Sequence, residues 1–360
     1  MPDPLLSDLI PDGVVKNGMW KSRTSDGTAI PGRNSSLFAF KSTIGCVNID
    51  PMRRYNALSD YLKRTFGEKV YRVSIDAGFT CPNRDGRLAT GGCIFCDEAG
   101  SRARYVEPEL PVREQLRRGI EFVRRKFGAR KFIAYFQAYS NTYAPVEKLR
   151  EIYSVVFEFP EVVGLSVSTR PDLVPDAVLD LLAEFAERLH VWLELGVQSF
   201  HYRSLVKVRR YHGVAESIDA ILRAHSHGLD VVAHMILGLP GETELEIVEN
   251  ARILSALGVH GVKMHHLYVV KGTPLEKIYR AGNLKVYETP EDYARVAAKF
   301  IAHLSPEIVI HRLAGRAPSD MLVAPKWSSN KFAPIQAIEK ELEEKDLYQG
   351  KLLRIGIGEI

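Results

Sequence analysis

Cys81, Cys93 and Cys96 fall within one short stretch of the chain, and the fourth cysteine, Cys46, lies well upstream. The stretch runs Asp76-Ala-Gly-Phe-Thr-Cys81-Pro-Asn-Arg-Asp-Gly86, then Gly91-Gly92-Cys93-Ile94-Phe95-Cys96-Asp97. Thiolates are soft ligands. Three of them can hold three corners of an iron–sulfur cluster and leave one iron open, whereas a closed electron-transfer cluster or structural zinc site takes four protein ligands. An open corner is a place for a substrate or cosubstrate to bind. Other chemistries fit the same residues. The three cysteines with His212 or His234 would make a zinc site, Cys93-x2-Cys96 alone would make a redox dithiol, and all three thiols could be plain core residues. Cys46 reads as a free thiol rather than a fourth ligand.

Such a loop needs a scaffold, and the chain is long enough to build one: 360 residues, 46% hydrophobic, suit one large domain or a domain with an appendage. The formal net charge of +4 neither demands nor excludes an acidic or nucleic-acid partner. Clustered cysteines argue for a metal site in a reducing compartment over a disulfide framework. No apolar run reaches membrane-spanning length, and Met1-Pro-Asp-Pro does not open a secretion signal. The expectation is a cytoplasmic protein with no membrane partner.

Residues 1–51 are rich in Ser, Gly, Pro and Asp without a sustained period, and are expected to be a disordered N-terminal extension. From residue 71, short β-branched runs at 71–75, 131–136, 162–168, 191–197, 231–237 and 262–267 alternate with segments of helical period. One such helix places Val178, Leu182, Phe185 and Leu189 on a face; another ends at Gly228 and a third at Gly258. Six strand–helix repeats predict parallel strands with right-handed crossovers, as a barrel or an open doubly wound sheet. The rhythm then changes. Helices over 290–304 and 332–344 and a short strand at 308–312 suggest an appendage over 288–360, packed on a main domain of 52–287.

Polar residues gather at the C-terminal ends of the predicted strands: Gln137 and Asn141, Ser168-Thr-Arg170, Gln198-Ser199, and His265-His266. Strand-to-helix loops carry the chemistry of parallel α/β folds at that edge, and the cysteine loop follows the first strand. His265 and His266 alternate across a strand, so one faces in and the other out. His234 reads as a core histidine. His311-Arg312 and Lys326-Trp327 pair cations with rings, as sites for anionic or nucleic-acid substrates do and as solvated surfaces also do.

The spacing Cys-x11-Cys-x2-Cys, the aromatic Phe95 before the last cysteine and the place after a first strand together resemble the radical S-adenosylmethionine (SAM) enzymes. The long first gap is similar to that of the elongator catalytic-subunit branch, whose members modify wobble uridine in transfer RNA. Asp76–Gly86, Ala134-Tyr-Phe-Gln-Ala-Tyr-Ser-Asn-Thr-Tyr-Ala-Pro145, Ser168-Thr-Arg-Pro-Asp172, Glu194-Leu-Gly-Val-Gln-Ser199 and His234-Met-Ile-Leu-Gly-Leu-Pro-Gly-Glu-Thr243 resemble the bacterial YhcC-like branch, over residues from about 53 to 353. The resemblance implies a partial (β/α)6 TIM-like barrel with a [4Fe-4S] cluster on Cys81, Cys93 and Cys96. The open iron would chelate SAM, and a one-electron reductant of flavodoxin or ferredoxin type would drive its cleavage to a 5′-deoxyadenosyl radical. That radical would abstract hydrogen from a substrate, with transfer RNA suggested by the elongator kinship. A zinc-stabilised nucleic-acid-binding module without catalysis is the alternative, and the residues do not specify an oligomeric state or a catalytic side chain.

By the same resemblance, Gly91 and Gly92 let backbone approach the cluster, Phe95 contacts adenine, and Gln198 and Arg210 contact the cosubstrate's ribose and carboxylate. A guanidinium suits a carboxylate because its fork donates two parallel hydrogen bonds. Relatives carry a Gly-Gly-Glu run after the second strand; here Ser140 and Asn141 offer a hydroxyl and an amide instead. Ser168 stands where distant relatives have glutamate, and Tyr211 where they usually have glycine, which puts the local backbone shape there in question.

Overall fold

The computed structural model describes residues 53–97, 100, 102–103 and 105–355; the extension expected over 1–51, and Cys46 with it, lies outside them. Seven strands form one wholly parallel sheet: β1 (Val70–Ile75), β2 (Lys131–Phe136), β3 (Val162–Thr169), β4 (His190–Gln198), β5 (Asp230–Leu237), β6 (Gly261–His266) and, after a two-residue strand β7 (Val269–Val270), β8 (Val309–Arg312). Their order is β1-β2-β3-β4-β5-β6-β8, curled into a half-barrel, and β7 pairs antiparallel with β9 (Leu322–Ala324). Six expected strands are therefore present within a residue of their predicted ends. The segment read as an appendage adds the seventh, β8, in parallel to β6.

Helices α1 (Leu58–Phe66), α2 (Val112–Phe127), α3 (Val146–Ser154), α4 (Asp176–Ala186), α5 (Tyr202–Lys207), α6 (Val214–Ser226) and α7 (Glu244–Leu257) accompany these strands. After them come α8 (Pro274–Arg280), α9 (Pro290–Ala302) and α10 (Ala333–Glu344). Among the described residues, no helix is long and apolar enough to cross a membrane. Local chemistry sets the ends. In α7 the Thr243 hydroxyl accepts from the Glu246 N–H while the Glu246 carboxylate accepts from the Thr243 N–H, a reciprocal cap, and Gly258 stops the helix with φ 67°. On α2, a Cβ at Gly119 would lie 2.2 Å from Val73 Cγ1, so glycine lets this helix press against β1.

The main core lies between sheet and outer helices, where β3 and β4 are buried on both faces, as the near-continuous apolar runs Val-Val-Gly-Leu and Val-Trp-Leu require. A second apolar cluster plugs the barrel's N-terminal end. Trp192, Val70, Ile133 and Val232 meet Leu62 of α1, with the Tyr61 ring 6.3 Å from that of Trp192. The bottom is closed, so the barrel opens at the strand C-termini. A third, smaller cluster of Ile94, Val208, Leu239, Leu267 and Leu275 lies under the cysteine loop.

Candidate active site

The cysteine loop is folded by its own backbone. Arg84 and Asp85 N–H groups donate to the Cys81 carbonyl at 2.8 and 3.2 Å, Gly92 N–H to Asn83 O at 2.8 Å, and Cys96 N–H to Cys93 O at 3.0 Å. Gly91 and Gly92 both adopt φ 82°, the left-handed region that a side chain disfavours, so the turn itself calls for glycine at both positions. Ile94 anchors the loop through Ile94 N–H to Val208 O and Leu275 N–H to Ile94 O. All three cysteines are free thiols; Cys81 and Cys93 are buried and Cys96 is half-buried. Two N–H donors aim at the Cys93 sulfur, Asn83 Nδ2 at 3.4 Å and Arg210 Nη1 at 3.7 Å. The Cys96 thiol, then the Arg210 charge, hold the Cys93 thiol well below its usual range although burial opposes them.

That donor set fits an iron–sulfur cluster: soft sulfur, positive charge nearby, and N–H groups that stabilise anionic sulfur. Among the described residues, no three His, Cys, Asp or Glu side chains converge on a point suited to a single metal ion. A cluster spreads its ligands around a larger body than an ion. His212 and His234, the histidines considered for zinc, are turned to other partners described below.

Arg210 is buried, and each of its three guanidinium nitrogens donates within the protein. Nε donates to His212 Nε2 at 2.9 Å, Nη2 to the Gly196 carbonyl at 2.7 Å, and Nη1 to Cys93. It ties the cysteine loop to the end of β4. Burial, then the Arg210 charge, depress His212 to about 3, so its ring is the neutral acceptor this bond needs. Arg170 supports from beneath, forked onto Asp172 at 2.9 and 2.8 Å and donating from Nη1 to the Arg210 carbonyl at 2.9 Å. Space for Arg210 exists because residue 196 is glycine: a Cβ there would lie 2.6 Å from Nη2 and 3.0 Å from Gln198 Nε2.

Of the five non-glycine residues with positive φ among those described, four surround this site: Tyr139, Gln198, Arg209 and Tyr211. Such strain is retained where surrounding structure enforces it. Tyr211, at φ 59°, keeps the backbone shape that a glycine would adopt there, which answers the question raised by its identity.

Phe95 and Gln198 line a small cavity of about 130 Å³ together with Cys96, His234, Ile236 and His265. Ser140 is fully buried with an unpartnered hydroxyl oxygen. Asn141 is mainly a strut: its Nδ2 donates to the carbonyls of Phe136, Ala138 and Ser168 at 3.1, 3.0 and 2.8 Å, which leaves only the unpartnered Oδ1 to receive a ligand. Ser168 closes β3 beside it, buried, its carbonyl accepting both the Asn141 side chain and backbone.

Sequence reasoning missed a charged layer inside the barrel, between the apolar plug and the mouth. Glu194 on β4 is fully buried; Oε2 meets Lys263 Nζ of β6 and accepts from His234 Nε2 at 2.7 Å, while Oε1 accepts from Ser166 Oγ at 2.6 Å and lies 3.6 Å from Arg72 Nη2. Lys263 also donates to Tyr135 Oη at 2.9 Å. Burial opposes ionisation of Glu194, yet Lys263, Arg72 and His234 hold its carboxyl well below the usual range. Burial, then Lys263, lower His234 to about 4. A neutral ring that donates from Nε2 keeps Nδ1 as an acceptor, and His234 borders the small cavity. A signal was present: Glu194 and Lys263 interrupt apolar strand runs at inward-facing positions. His265 faces in, with Nε2 3.2 Å from Arg312 Nη1, and His266 faces out to Ser328 and Trp327.

A half-barrel opening at its strand C-termini, with a three-cysteine loop after β1 at that mouth, defines the radical SAM architecture. The Radical SAM superfamily model matches residues 83–254 and the Radical_SAM C-terminal domain model residues 259–344. The YtqA protein of Bacillus subtilis is 40% identical over 302 residues, covering 84% of this chain and 94% of its own length. Protein YhcC of Escherichia coli is 39% identical over 299 residues, covering 83% and 95%. Mouse Elongator complex protein 3 is 28% identical over 172 residues, 46% of this chain and 30% of its own. Among solved structures, an Elp3 from the archaeon Methanocaldococcus infernus superimposes with TM-score 0.57 at 19% identity, over 78% of this chain and 64% of that one, and shares the fold. The chain belongs to the radical SAM superfamily. Within it, this enzyme is a YhcC-like relative of the elongator subunit.

Proposed function

We propose that Cys81, Cys93 and Cys96 hold a [4Fe-4S] cluster and that the chain presents SAM to it for homolytic chemistry on a substrate in the barrel mouth. When bound, the cluster supplies one electron that splits the sulfonium to methionine and a hydrogen-abstracting 5′-deoxyadenosyl radical. The observation carrying this reading is the trio of free thiols at the mouth, two donors aimed at Cys93, and a cavity joining Cys96 to Phe95, Gln198 and His234.

Each residue then has a task. Arg210 and Asn83 fix Cys93 and neutralise sulfur charge. Phe95 offers a face for a purine, Gln198 an amide at the cavity wall, and His234 Nδ1 an acceptor for a hydroxyl or amine. Ser140 Oγ and Asn141 Oδ1, buried and unpartnered, would gain partners from the cosubstrate's methionine end. Ser168 supports them through its carbonyl. Transfer RNA is the first substrate to test, on the likeness to Elongator complex protein 3. A flavodoxin- or ferredoxin-type reductant and a cytoplasmic setting complete the reading.

Anaerobic reconstitution tests it. A brown protein with about four irons per chain, as this cluster type requires, should form 5′-deoxyadenosine from SAM after dithionite reduction, and Cys93→Ala should abolish the product. Persistence of 5′-deoxyadenosine in that variant, or a colourless protein with stoichiometric zinc, overturns the reading. For the substrate, modified nucleosides in transfer RNA from wild-type and deletion strains are compared; an unchanged profile rejects transfer RNA.

A further inference from the structure

The larger cleft beside the mouth, about 750 Å³, has an unusual charge lining. Arg102, Arg312, Arg316 and Lys331 border it, and Asp97 is its sole carboxylate among the described residues. Arg102 is paired with Asp76 at 3.3 Å. The other three cations form no ion pair among the described residues. Arg312 is half-buried in the wall and bonds to the imidazole of His265 at 3.2 Å, and Lys331 lies over the Phe332 ring. His265 brings no negative charge to Arg312: burial, and then that same guanidinium, hold its pKa well below the usual range, so it meets the cation as a neutral acceptor.

Several arginines elsewhere in the chain do meet acids, as in Arg150–Glu184, Arg203–Glu246 and Arg223–Asp219, while others such as Arg84 and Arg188 lie over aromatic rings. Arg312 is partly desolvated, and a guanidinium in that state without an anion is costly, whereas Arg316 and Lys331 are exposed at the rim and free to turn toward a ligand. The cleft shares Asp97, His265, Tyr268 and Val270 with the small cavity beside Cys96. A group held among the cations therefore directs whatever is attached to it toward the cysteine loop.

We propose that this cleft binds a phosphate group of the substrate through Arg312, Arg316 and Lys331. Three cations without an ion pair among the described residues exceed what one carboxylate can balance, whereas a phosphate monoester brings a charge of about −1.5 to −2 and three acceptor oxygens that suit guanidinium forks. The volume accommodates the phosphate with a nucleoside-sized group attached. The phosphate belongs either to a small phosphorylated molecule or to a nucleic-acid strand, whose internal diesters carry one charge and two free oxygens each and would meet the three cations as neighbouring groups; recognition of phosphate oxyanions by the cations is shared. The inference rests on the mouth being the radical site, since that makes this cleft the substrate's entry.

Calorimetric titration of the reconstituted full chain tests it, with inorganic pyrophosphate, ribose 5-phosphate, a short oligouridylate and succinate as probes. Pyrophosphate is expected to bind at one site per chain. The paired variant Arg316→Ala/Lys331→Ala should weaken it about tenfold or more, the loss expected for two charge-assisted contacts. Lys285→Ala, which removes an exposed cation outside the cleft, should not. With a strand as the source, oligouridylate binds more tightly than ribose 5-phosphate and weakens steeply with salt; with a small molecule as the source, the two bind alike. Absence of binding by every phosphate probe, equal binding by succinate, or an unaffected paired variant overturns the proposal. None of these titrations reads radical chemistry, so their failure in a wild-type protein that forms 5′-deoxyadenosine rejects the phosphate site alone.

Discussion

The charged layer makes a quantitative prediction. Glu194 has no exposure and four partners: Lys263, His234, Ser166 and Arg72. Glu194→Gln keeps the side-chain shape but removes the one group that favours the buried Lys263 ammonium, whose pKa burial and the Arg72 and Arg312 cations already push well below the usual lysine range. Breaking a buried pair from one side costs about 3–5 kcal/mol, because the remaining charge stays desolvated. For a chain of this size that corresponds to a drop in Tm on the order of 10 °C. Lys263→Met should cost less, since the Glu194 carboxylate keeps Arg72, His234 and Ser166. The double variant Glu194→Gln/Lys263→Met removes both charges, so its loss should fall short of the sum of the single losses by about 1–3 kcal/mol. Equilibrium urea denaturation of the four proteins under anaerobic conditions measures this cycle. Additive losses would refute the claim that the two side chains form a coupled ion pair.

Two further outcomes follow from the site. Gly196→Ala places a Cβ 2.6 Å from Arg210 Nη2 and should displace that guanidinium from Cys93. Iron retained per chain after desalting should fall, and wild-type retention would mean that Arg210 does not hold the loop. Burial depresses His234 and His260 to about 4 and His212 and His266 to about 3. Each folded value lies below the unfolded one, so the unfolded chain takes up protons first as pH falls through about 6.5. From pH 7.5 to 5.5 stability should drop by about 1.4 kcal/mol per histidine, partly offset by Glu242, which burial raises. Urea midpoints flat or rising across that range would contradict the buried neutral rings.

Much of the scaffold was legible because β3 to β6 are apolar runs separated by helical periods, and periodicity reports burial directly. The cysteines were legible because few chemistries want three thiols at that spacing. β8 was visible as a strand, but its place beside β6 was not, since partner choice is a long-range property that no local pattern encodes. Arg210 was singled out for its guanidinium, yet each of its three nitrogens uses a donor on His212, Gly196 or Cys93, an allocation set by packing. Glu194 and Lys263 escaped notice for a related reason. Each looks like an isolated polar interruption, and only the curl of the sheet brings β4 and β6 close enough to join them.

Because the sheet ends at β8 without returning to β1, the wall of this half-barrel has a side door. At that edge β8 meets the segment before α1 through Ile310 N–H to the Asn56 carbonyl at 2.8 Å, Arg72 Nη2 of β1 reaches His311 Nδ1 at 2.6 Å, and the cationic cleft runs along β8 beside them. A closed cylinder admits only what fits its bore. A doorway would let most of a bulky molecule stay outside while a single residue passed through, so for the substrate proposed above the size of the part left outside would not matter.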